Sequence, residues 1–305
     1  MTDQDKPDWI AVDWGTTNLR AFAMRGTKMI AEAVSDDGMG KLARDAFEPA
    51  LIRLIAPWLT TLRQTPVIAC GMVGSRQGWF EAPYRSTPCV ALDPSALVTV
   101  PTADPRITMA VVPGLRQNKP ADVMRGEETQ IAGALALMPG FDGVFCLPGT
   151  HSKWVHVSAG EVISFQTFMT GEMFALLSEH SVLRHGMAGG GWEDTAFDTA
   201  LSDALSRPEK IGANLFSLRA EGLLTGLAAP QARARLSGLL IGVELAAAKP
   251  YWLGQPVAII GADALSATYA RAITAQGITP TLIPAADTVL AGLTLAHKTV
   301  MEVAR

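Results

Sequence analysis

The chain has 305 residues, a net charge of −4 and a sequence pI of about 5.8. Its lysines and arginines are scattered along the chain, so it lacks the basic patch that nucleic acid or an anionic membrane would require. The length is sufficient for two domains, each with a sizeable core.

The cysteines and the apolar segments indicate where such a protein works. Cys70, Cys89 and Cys146 are far apart in sequence, which favours reduced thiols over a disulfide framework or a zinc cluster. The first eight residues are polar and acidic, unlike an export signal. The most apolar stretch, residues 236–248, contains Glu244 and is too short to cross a bilayer. We therefore expect a cytoplasmic protein with no membrane or nucleic-acid partner.

The first predicted element is a β-hairpin over residues 9–24, in which two apolar runs flank a polar turn. Gly15 lets the backbone of this turn approach a ligand closely, and Asp13 offers Mg²⁺ a hard oxygen ligand. An ordinary turn is the alternative, because the same residue types are common in turns. Phosphate oxygens would be bound by donors on Thr16, Thr17 and Asn18.

The next elements are a helix over residues 46–63, ended by Pro66, and a strand over residues 66–71. The segment after this strand is rich in small residues and contains one large aromatic side chain. This segment forms either a substrate pocket or a tight turn with a core tryptophan. The residues that would line the pocket are Gly71, Met72, Ser75 and Trp79.

A helix is predicted over residues 126–138, followed by a break rich in proline and glycine. Glu127 and Glu128 open this helix. One of them could accept a proton from a substrate hydroxyl, although acids favour the first turn of any helix. Adjacent side chains point in different directions, and we expect Glu127 rather than Glu128 to face a substrate. The break predicts a boundary between an N-terminal domain, residues 1–139, and a C-terminal domain, residues 140–305.

A second strand, Gly-Thr turn and strand unit spans residues 144–154 and repeats the pattern of the first hairpin. Leu147 stands where the first unit has Asp13. The repeat predicts two similar domains that face each other across a cleft, each with one phosphate-binding turn. The second turn would bind phosphate through Gly149, Thr150, His151 and Lys153.

The remainder of the chain predicts helices interrupted by one loop and one strand. Helices are predicted over residues 171–184, from Asp194 and over residues 286–296, and the last of these should pack back near the hinge. The glycine-rich loop at 185–192 is either a linker or a mobile active-site edge. Thr170 and Glu172 could bind substrate hydroxyls or cap their helix. After a strand at 257–260, Gly261 and Ala262 open a helix where a nucleotide could bind.

A phosphate turn, a connecting helix, a second phosphate turn, a strand-glycine-helix junction and a second connecting helix, in this order, resemble the superfamily of sugar kinases, hexokinase, actin and Hsp70. The resemblance implies an α/β, two-domain actin-like ATPase (ribonuclease H-like) fold, with duplicated β-sheet domains flanking a nucleotide cleft. Both connecting helices carry small residues where they could cross closely. Five motifs further resemble the 2-dehydro-3-deoxygalactonokinase family: DWGTTNLR at 13–20, GMVGS at 71–75, MRGEETQ at 124–130, PGTHSKW at 148–154 and MTGE at 169–172.

The resemblance implies ATP-dependent phosphorylation of the 6-hydroxyl of 2-dehydro-3-deoxy-D-galactonate, with Mg²⁺, in cytoplasmic D-galactonate catabolism. Such a substrate has a carboxylate, which an arginine or lysine should meet. In most of the superfamily the second turn also carries an acid near the metal, and Leu147 departs from that pattern. A phosphohydrolase of the same fold and a non-catalytic nucleotide-binding regulator are the alternatives, and a homodimer is left open. The basic candidates for the carboxylate or the phosphates are Arg20, Arg125, Lys153 and Arg76.

Overall fold

The computed structural model describes residues 6–303. It divides into two compact units. The first unit contains the chain up to Phe141, residues 158–164 and the chain from Ala285 onward. The second unit contains residues 142–157 and 165–284. The last helix is thus part of the first unit.

Strands predominate up to residue 168 of the described chain, and helices predominate after it. The strands are β1 (Trp9–Trp14), β2 (Leu19–Arg25), β3 (Lys28–Ser35), β4 (Thr65–Gly71), β5 (Arg85–Ser86), β6 (Cys89–Val90), β7 (Val98–Val100), β8 (Ile107–Val111), β9 (Leu115–Asn118), β10 (Ala121–Met124), β11 (Gly143–Leu147), β12 (Ser152–Ser158), β13 (Glu161–Phe168), β14 (Val257–Gly261) and β15 (Thr281–Pro284). The helices are α1 (Phe47–Ile55), α2 (Glu127–Leu137), α3 (Thr170–Glu179), α4 (Asp194–Ser206), α5 (Ile211–Leu224), α6 (Ala229–Ala247), α7 (Lys249–Trp252), α8 (Asp263–Thr274) and α9 (Ala285–Val303).

The first unit is built on a six-stranded sheet of order β3-β2-β1-β4-β8-β7. Strand β1 is antiparallel to β2 and parallel to β4, so it lies inside the sheet. Its two faces are both covered, which explains its nearly continuous apolar sequence. Trp14 packs with Phe47 of α1 on one face, while Trp9 lies in a cluster with Leu293 of α9 on the other. This packing fixes the end of β1, where the first predicted phosphate turn begins.

Helices α2 and α9 of the first unit approach each other at two glycines. A Cβ added to Gly133 would lie 1.8 Å from the carbonyl oxygen of Thr288, and one added to Gly292 would lie 2.1 Å from that of Thr129. These contacts leave no room for any side chain at either position. The prediction that small residues let the two connecting helices cross closely is confirmed.

The second unit repeats this plan with a sheet in which β15, β14, β11, β12 and β13 follow one another. Strand β11 is antiparallel to β12 and parallel to β14, as β1 is to β2 and β4. Its core includes Val144 and Trp154 of the hairpin together with Ile241 of α6 and Tyr269 of α8. The duplicated sheet predicted from the two hairpins is therefore confirmed.

Two predicted helices extend too far. The first ends at Ile55 rather than at residue 63, because Pro57 has no N–H to donate to the carbonyl of Arg53. The helix predicted over 171–184 ends at Glu179 as α3, and a short 3₁₀ segment, Val182–Gly186, follows. Helix α2 matches its prediction closely. Among residues 6–303, no helix combines the length and apolar character needed to cross a membrane.

Candidate active site

The first turn is held by backbone hydrogen bonds on both sides. The N–H of Gly15 donates to the carbonyl of Asn18 at 2.9 Å, which closes the turn between β1 and β2. The N–H of Met39 donates to Gly15 at 3.0 Å, and that of Gly40 donates to Thr16 at 2.9 Å. The predicted phosphate-binding residues of this turn remain largely on the surface, namely Thr16, Thr17 and Asn18.

Gly38 supports the same turn and is missing from the sequence-based site. A Cβ at this position would lie 2.1 Å from the carbonyl carbon of Thr17. Any side chain would therefore push the 38–40 segment away from the turn. The sequence signal is weak, since Gly38 and Gly40 resemble an ordinary connection between elements.

Asp13 lies near the end of β1, half-buried, directly across the hairpin from Arg20. The thiol of Cys70 on β4 points at its carboxylate, with 3.9 Å between Sγ and Oδ1. Burial raises the pKa of Asp13, the positive charge of Arg20 opposes that shift, and the negative charge of Glu127 adds to it. Asp13, Arg20 and Glu127 therefore form one electrostatic group in the first unit.

Glu127 and Glu128 open α2 and fold back onto the backbone before it. Glu127 accepts a hydrogen bond from the N–H of Arg125 at 3.0 Å, and Glu128 accepts one from Gly126 at 2.7 Å. Glu128 is completely buried, whereas Glu127 is half-buried. Burial, with a smaller effect from the charge of Glu127, raises the pKa of Glu128 from its usual 4.5 to about 8. Glu128 is thus mainly protonated at neutral pH.

The segment after β4 is tightly built around small residues. Gly71 has a φ of 89°, and a Cβ there would lie 2.6 Å from the carbonyl oxygen of Trp14. Met72 starts a 3₁₀ turn, Ser75 is buried, and the ring of Trp79 meets Trp14 edge-on at 6.4 Å. These predicted substrate residues therefore adjoin the end of β1.

Arg125 is buried beside this segment. Its Nη2 donates to the carbonyl of Ala82 at 2.7 Å, and its guanidinium lies 4.3 Å from the ring centre of Tyr84. Its Nε and Nη1 have no hydrogen-bond partner, and neither has the hydroxyl of Ser75. Buried donors of this kind are normally paired, so these three atoms mark a site with unused binding capacity.

The second turn packs against the start of α3 within the second unit. The N–H of Glu172 donates to the carbonyl of Thr150 at 2.9 Å, and its carboxylate lies 2.6 Å from Nε2 of His151. A Cβ on Gly171 would lie 2.3 Å from the carbonyl oxygen of Gly149. Two residues predicted to bind substrate or cap a helix, Thr170 and Glu172, thus belong to the surroundings of this turn. Lys153, on β12 beyond the turn, is buried.

Glu244 organises the interior behind the second turn, a role that its sequence context does not predict. Its carboxylate accepts hydrogen bonds from the indole of Trp154 at 2.8 Å, from the hydroxyl of Tyr269 at 2.7 Å and from the hydroxyl of Thr170. Ser152, in turn, is hydrogen-bonded to Tyr269 at 2.8 Å. Elements β12, α3, α6 and α8 are thereby joined through one buried acid. The only sequence signal was an acidic residue in an otherwise apolar stretch.

A cavity of about 330 Å³ opens beside the second turn, entirely within the second unit. Its volume is in the range of small-molecule sites, and its wall is mainly apolar. The guanidinium of Arg233 lies 5.4 Å from the ring centre of Phe174 at this wall. Trp192, from the glycine-rich loop, also reaches it. The lining residues include Gly149, Thr170, Gly171, Phe174, Trp192, Arg233, Ser237, Leu265, Thr268 and Tyr269.

The predicted strand, glycine turn and helix at residues 257–270 are present as β14, Gly261 and α8. Ala262 precedes the first residue of α8, and a Cβ on Gly261 would lie 2.7 Å from the hydroxyl of Ser266 and 3.6 Å from Pro148. Gly261 thus lets this junction lie close to the strand end before the second turn. The hydroxyl of Ser266 is buried without a hydrogen-bond partner.

Metal binding has to be judged from the available donors. In the part of the chain that the structure describes, no group of three or more His, Cys, Asp or Glu side chains is arranged to hold a metal ion. Asp13 nevertheless offers a half-buried carboxylate that accepts a weak hydrogen bond from a thiol. This fits a metal that takes one protein ligand and its remaining ligands from water or phosphate.

Comparison with solved structures defines the type of fold. The structure superposes on the activator of 2-hydroxyisocaproyl-CoA dehydratase from Clostridium difficile with a TM-score of 0.53 and 12% identity. The match covers 97% of this chain and 96% of the activator. At this identity the similarity shows the fold alone. Together with the duplicated sheets and turns, it shows a two-domain α/β fold of the type found in actin-like ATPases and sugar kinases, as predicted.

Sequence comparison defines the particular family. The 2-keto-3-deoxy-galactonokinase family matches residues 13–296. The chain is 39% identical over 303 residues to a Rhizobium meliloti (strain 1021) protein named probable 2-dehydro-3-deoxygalactonokinase, with 96% of this chain and 97% of the relative covered. It is 35% identical to the Escherichia coli (strain K12) 2-dehydro-3-deoxygalactonokinase, with 95% and 97% covered. The chain belongs to the 2-keto-3-deoxy-galactonokinase family, which confirms the resemblance of its five motifs.

A solved structure agrees with this assignment. A protein from Sinorhizobium meliloti, described as a candidate 2-dehydro-3-deoxygalactonokinase, superposes with a TM-score of 0.89. The two chains are 37% identical, and the match covers 96% of this chain and 99% of the other.

Proposed function

We propose that this chain transfers the γ-phosphoryl group of ATP to the 6-hydroxyl of 2-dehydro-3-deoxy-D-galactonate, a cytoplasmic step of D-galactonate catabolism. Its membership of a family of kinases supports the reaction and the substrate. The structural observation that carries the proposal is the second Gly-Thr turn, which borders a mainly apolar cavity of about 330 Å³. A nucleotide needs hydrogen-bond donors for its phosphates and an apolar pocket for its base, and the turn and the cavity would provide the two side by side.

The second unit would bind the nucleotide. The turn formed by Gly149, Thr150 and His151 would hold phosphate oxygens, with Lys153 adding positive charge. The base would occupy the cavity, and Gly261 and Ala262 would let it approach the start of α8. Contacts of Thr170 and Glu172 with this region favour a supporting role for both residues rather than the sugar-binding role first considered.

The first unit would bind the sugar acid and supply the catalytic acids. Phosphoryl transfer needs a group that orients the attacking hydroxyl and accepts its proton. Glu127 is the better candidate, since it is half-buried and adjoins Asp13 electrostatically, whereas Glu128 is covered completely. Glu128 would act indirectly by holding the backbone at Gly126. The pocket for the sugar acid would be lined by Gly71, Met72, Ser75, Trp79, Arg20 and Arg125.

Asp13 is the residue that would hold Mg²⁺, directly or through water. When bound, the metal would neutralise charge on the nucleotide phosphates. Arg20 limits the rise in the pKa of Asp13 and so helps to keep this carboxylate ionised. Gly15, Thr16, Thr17 and Asn18 would add donors to phosphate from the neighbouring turn.

The test is ATP consumption by the purified protein with Mg²⁺ over a panel of 2-keto-3-deoxy sugar acids, their non-keto parents and a water-only control. Turnover that requires the galacto-configured keto acid, with a product phosphorylated at the 6-position, would support the proposal. ATP hydrolysis with water alone would favour a phosphohydrolase. ATP binding without turnover of any sugar acid would favour a nucleotide-binding regulator, and either result would overturn the proposal.

A further inference from the structure

Arg125 is a buried cation whose binding capacity is only partly used. The residue is 8% exposed, its Nη2 donates to the carbonyl of Ala82, and its guanidinium lies over the ring of Tyr84. Nε and Nη1 have no partner. A guanidinium carries its donors in a rigid fork that matches the two oxygens of a carboxylate. Burying this charge with two unpaired nitrogens costs free energy unless an acceptor supplies the missing bonds.

The hydroxyl of Ser75 is a second unpaired group in the same neighbourhood. It is buried, and Gly74 joins it to Arg125: a Cβ on Gly74 would lie 2.9 Å from Nη1 of that arginine. The carbonyl of Gly74 also accepts a hydrogen bond from the N–H of Ala82 at 2.9 Å. The absence of a side chain at Gly74 therefore lets the backbone next to Ser75 pack directly against Nη1.

The other arginines near the sugar-lining segment differ from Arg125 in environment. Arg20 is exposed and lies opposite Asp13, whose negative charge it balances. Arg76 is exposed at the surface of the turn after Ser75. Only Arg125 among these three combines burial with unpaired nitrogens.

We propose that Arg125 and Ser75 form the subsite that binds the carboxylate of the sugar acid and so distinguishes an acid substrate from a neutral sugar. This inference rests on the proposed function. Nη1 of Arg125 would donate to one carboxylate oxygen, and the hydroxyl of Ser75 would donate to the other. Access requires a shift of residues 75–84, which contain neither helix nor strand in this structure.

Calorimetric binding of 2-dehydro-3-deoxy-D-galactonate tests the subsite without relying on turnover. Arg125→Met should weaken binding by about 10- to 100-fold, the usual effect of losing hydrogen bonds to a charged group. Arg116→Met is the matched control, because Arg116 is exposed on β9 and donates to Ser86. Equal affinity of Arg125→Met and the wild-type protein would overturn the inference, as would failure of the wild-type protein to bind the acid.

A second ligand separates recognition from a general structural effect. The corresponding 3-deoxy-2-ketose, with a hydroxymethyl group in place of the carboxylate, lacks the group that Arg125 would meet. Arg125→Met should lower the binding and the kcat/KM of the acid by a much larger factor than those of this ketose. Equal losses for both ligands would show that Arg125 supports only the fold. Ser75→Ala, which removes one hydroxyl, provides the milder variant should Arg125→Met not fold, and it should also weaken binding of the acid more than binding of the ketose.

The two proposals fail in different ways. Binding of the acid that depends on Arg125, without phosphorylation of any sugar acid, would overturn the proposed reaction and support the subsite. Phosphorylation with the same KM for the acid in Arg125→Met and wild-type protein would support the reaction and overturn the subsite.

Discussion

The indole N–H of Trp154 donates a hydrogen bond to the carboxylate of Glu244 at 2.8 Å. Tyr269 and Thr170 donate to the same carboxylate, so Glu244 links the strand beyond the second turn to the walls of the cavity. A buried acid with several donors is stabilising only while all of them remain satisfied.

Glu244→Gln should lower the free energy of unfolding by about 1–3 kcal/mol, because one carboxylate oxygen becomes an amide that cannot accept these hydrogen bonds. Urea unfolding measures the change. Glu221→Gln is the control, since Glu221 pairs with Arg235 near the surface and should cost less than about 1 kcal/mol. Equal losses in the two variants would contradict a special role for the buried network.

The raised pKa of Glu128 predicts an unusual dependence of stability on pH. The unfolded chain loses this proton near pH 4.5, but the folded protein retains it until about pH 8. Proton binding at Glu128 therefore stabilises the folded protein fully below pH 4.5, and this contribution disappears as the pH rises to about 8. At about 1.4 kcal/mol per pKa unit, the total change is on the order of 5 kcal/mol.

Glu128→Gln removes this titration while keeping a carbonyl oxygen for the N–H of Gly126. The variant should be more stable than wild type in urea at about pH 9 and lose that advantage at about pH 4. Only the difference between the two proteins is diagnostic, because other carboxylates titrate in both. Parallel stability curves across this range would show that Glu128 loses its proton near pH 4.5 in the folded protein as well, so that its pKa is not raised.

The contact between α2 and α9 predicts opposite outcomes for two glycine-to-alanine changes. Gly133→Ala would place a Cβ 1.8 Å from the carbonyl oxygen of Thr288, so the helices must separate. We expect a loss of about 1–3 kcal/mol. Gly222→Ala, on α5, meets no atom within 4 Å and should instead stabilise its helix by about 0.5–1 kcal/mol. Thermal unfolding of both variants would reveal the sign; stabilisation by Gly133→Ala would contradict the close crossing.

Local pattern was sufficient to predict the hairpins, the two turns and the start of α2. Gly15 and Gly149 each follow an apolar strand, and that short-range signal is unambiguous once repeated. The end of α1 was wrong because the apolar pattern continues past Pro57, although the missing N–H there stops the helix.

Long-range relationships were beyond such reasoning. Gly38 supports Thr17 from 21 residues away, and the donors to Glu244 come from three other elements, so neither role leaves a periodic or local trace. The unpaired nitrogens of Arg125 likewise become visible only when Ala82 and Tyr84 occupy the rest of its side chain. The difference in burial between Glu127 and Glu128 is likewise visible only in the structure, although the sequence already favours Glu127 as the residue that faces a substrate.

Glu127→Gln tests the proposed proton acceptor. A general base acts as the hydroxyl attacks, so the variant should lose about 10²- to 10⁴-fold in kcat while its KM for ATP remains close to wild type. Glu32→Gln, on the exposed side of β3, is the control and should retain wild-type kcat. Steady-state phosphorylation of the keto acid provides both constants. Near-normal kcat in Glu127→Gln, together with a large loss in Glu128→Gln, would transfer the role to Glu128 and require its buried side chain to become exposed during turnover.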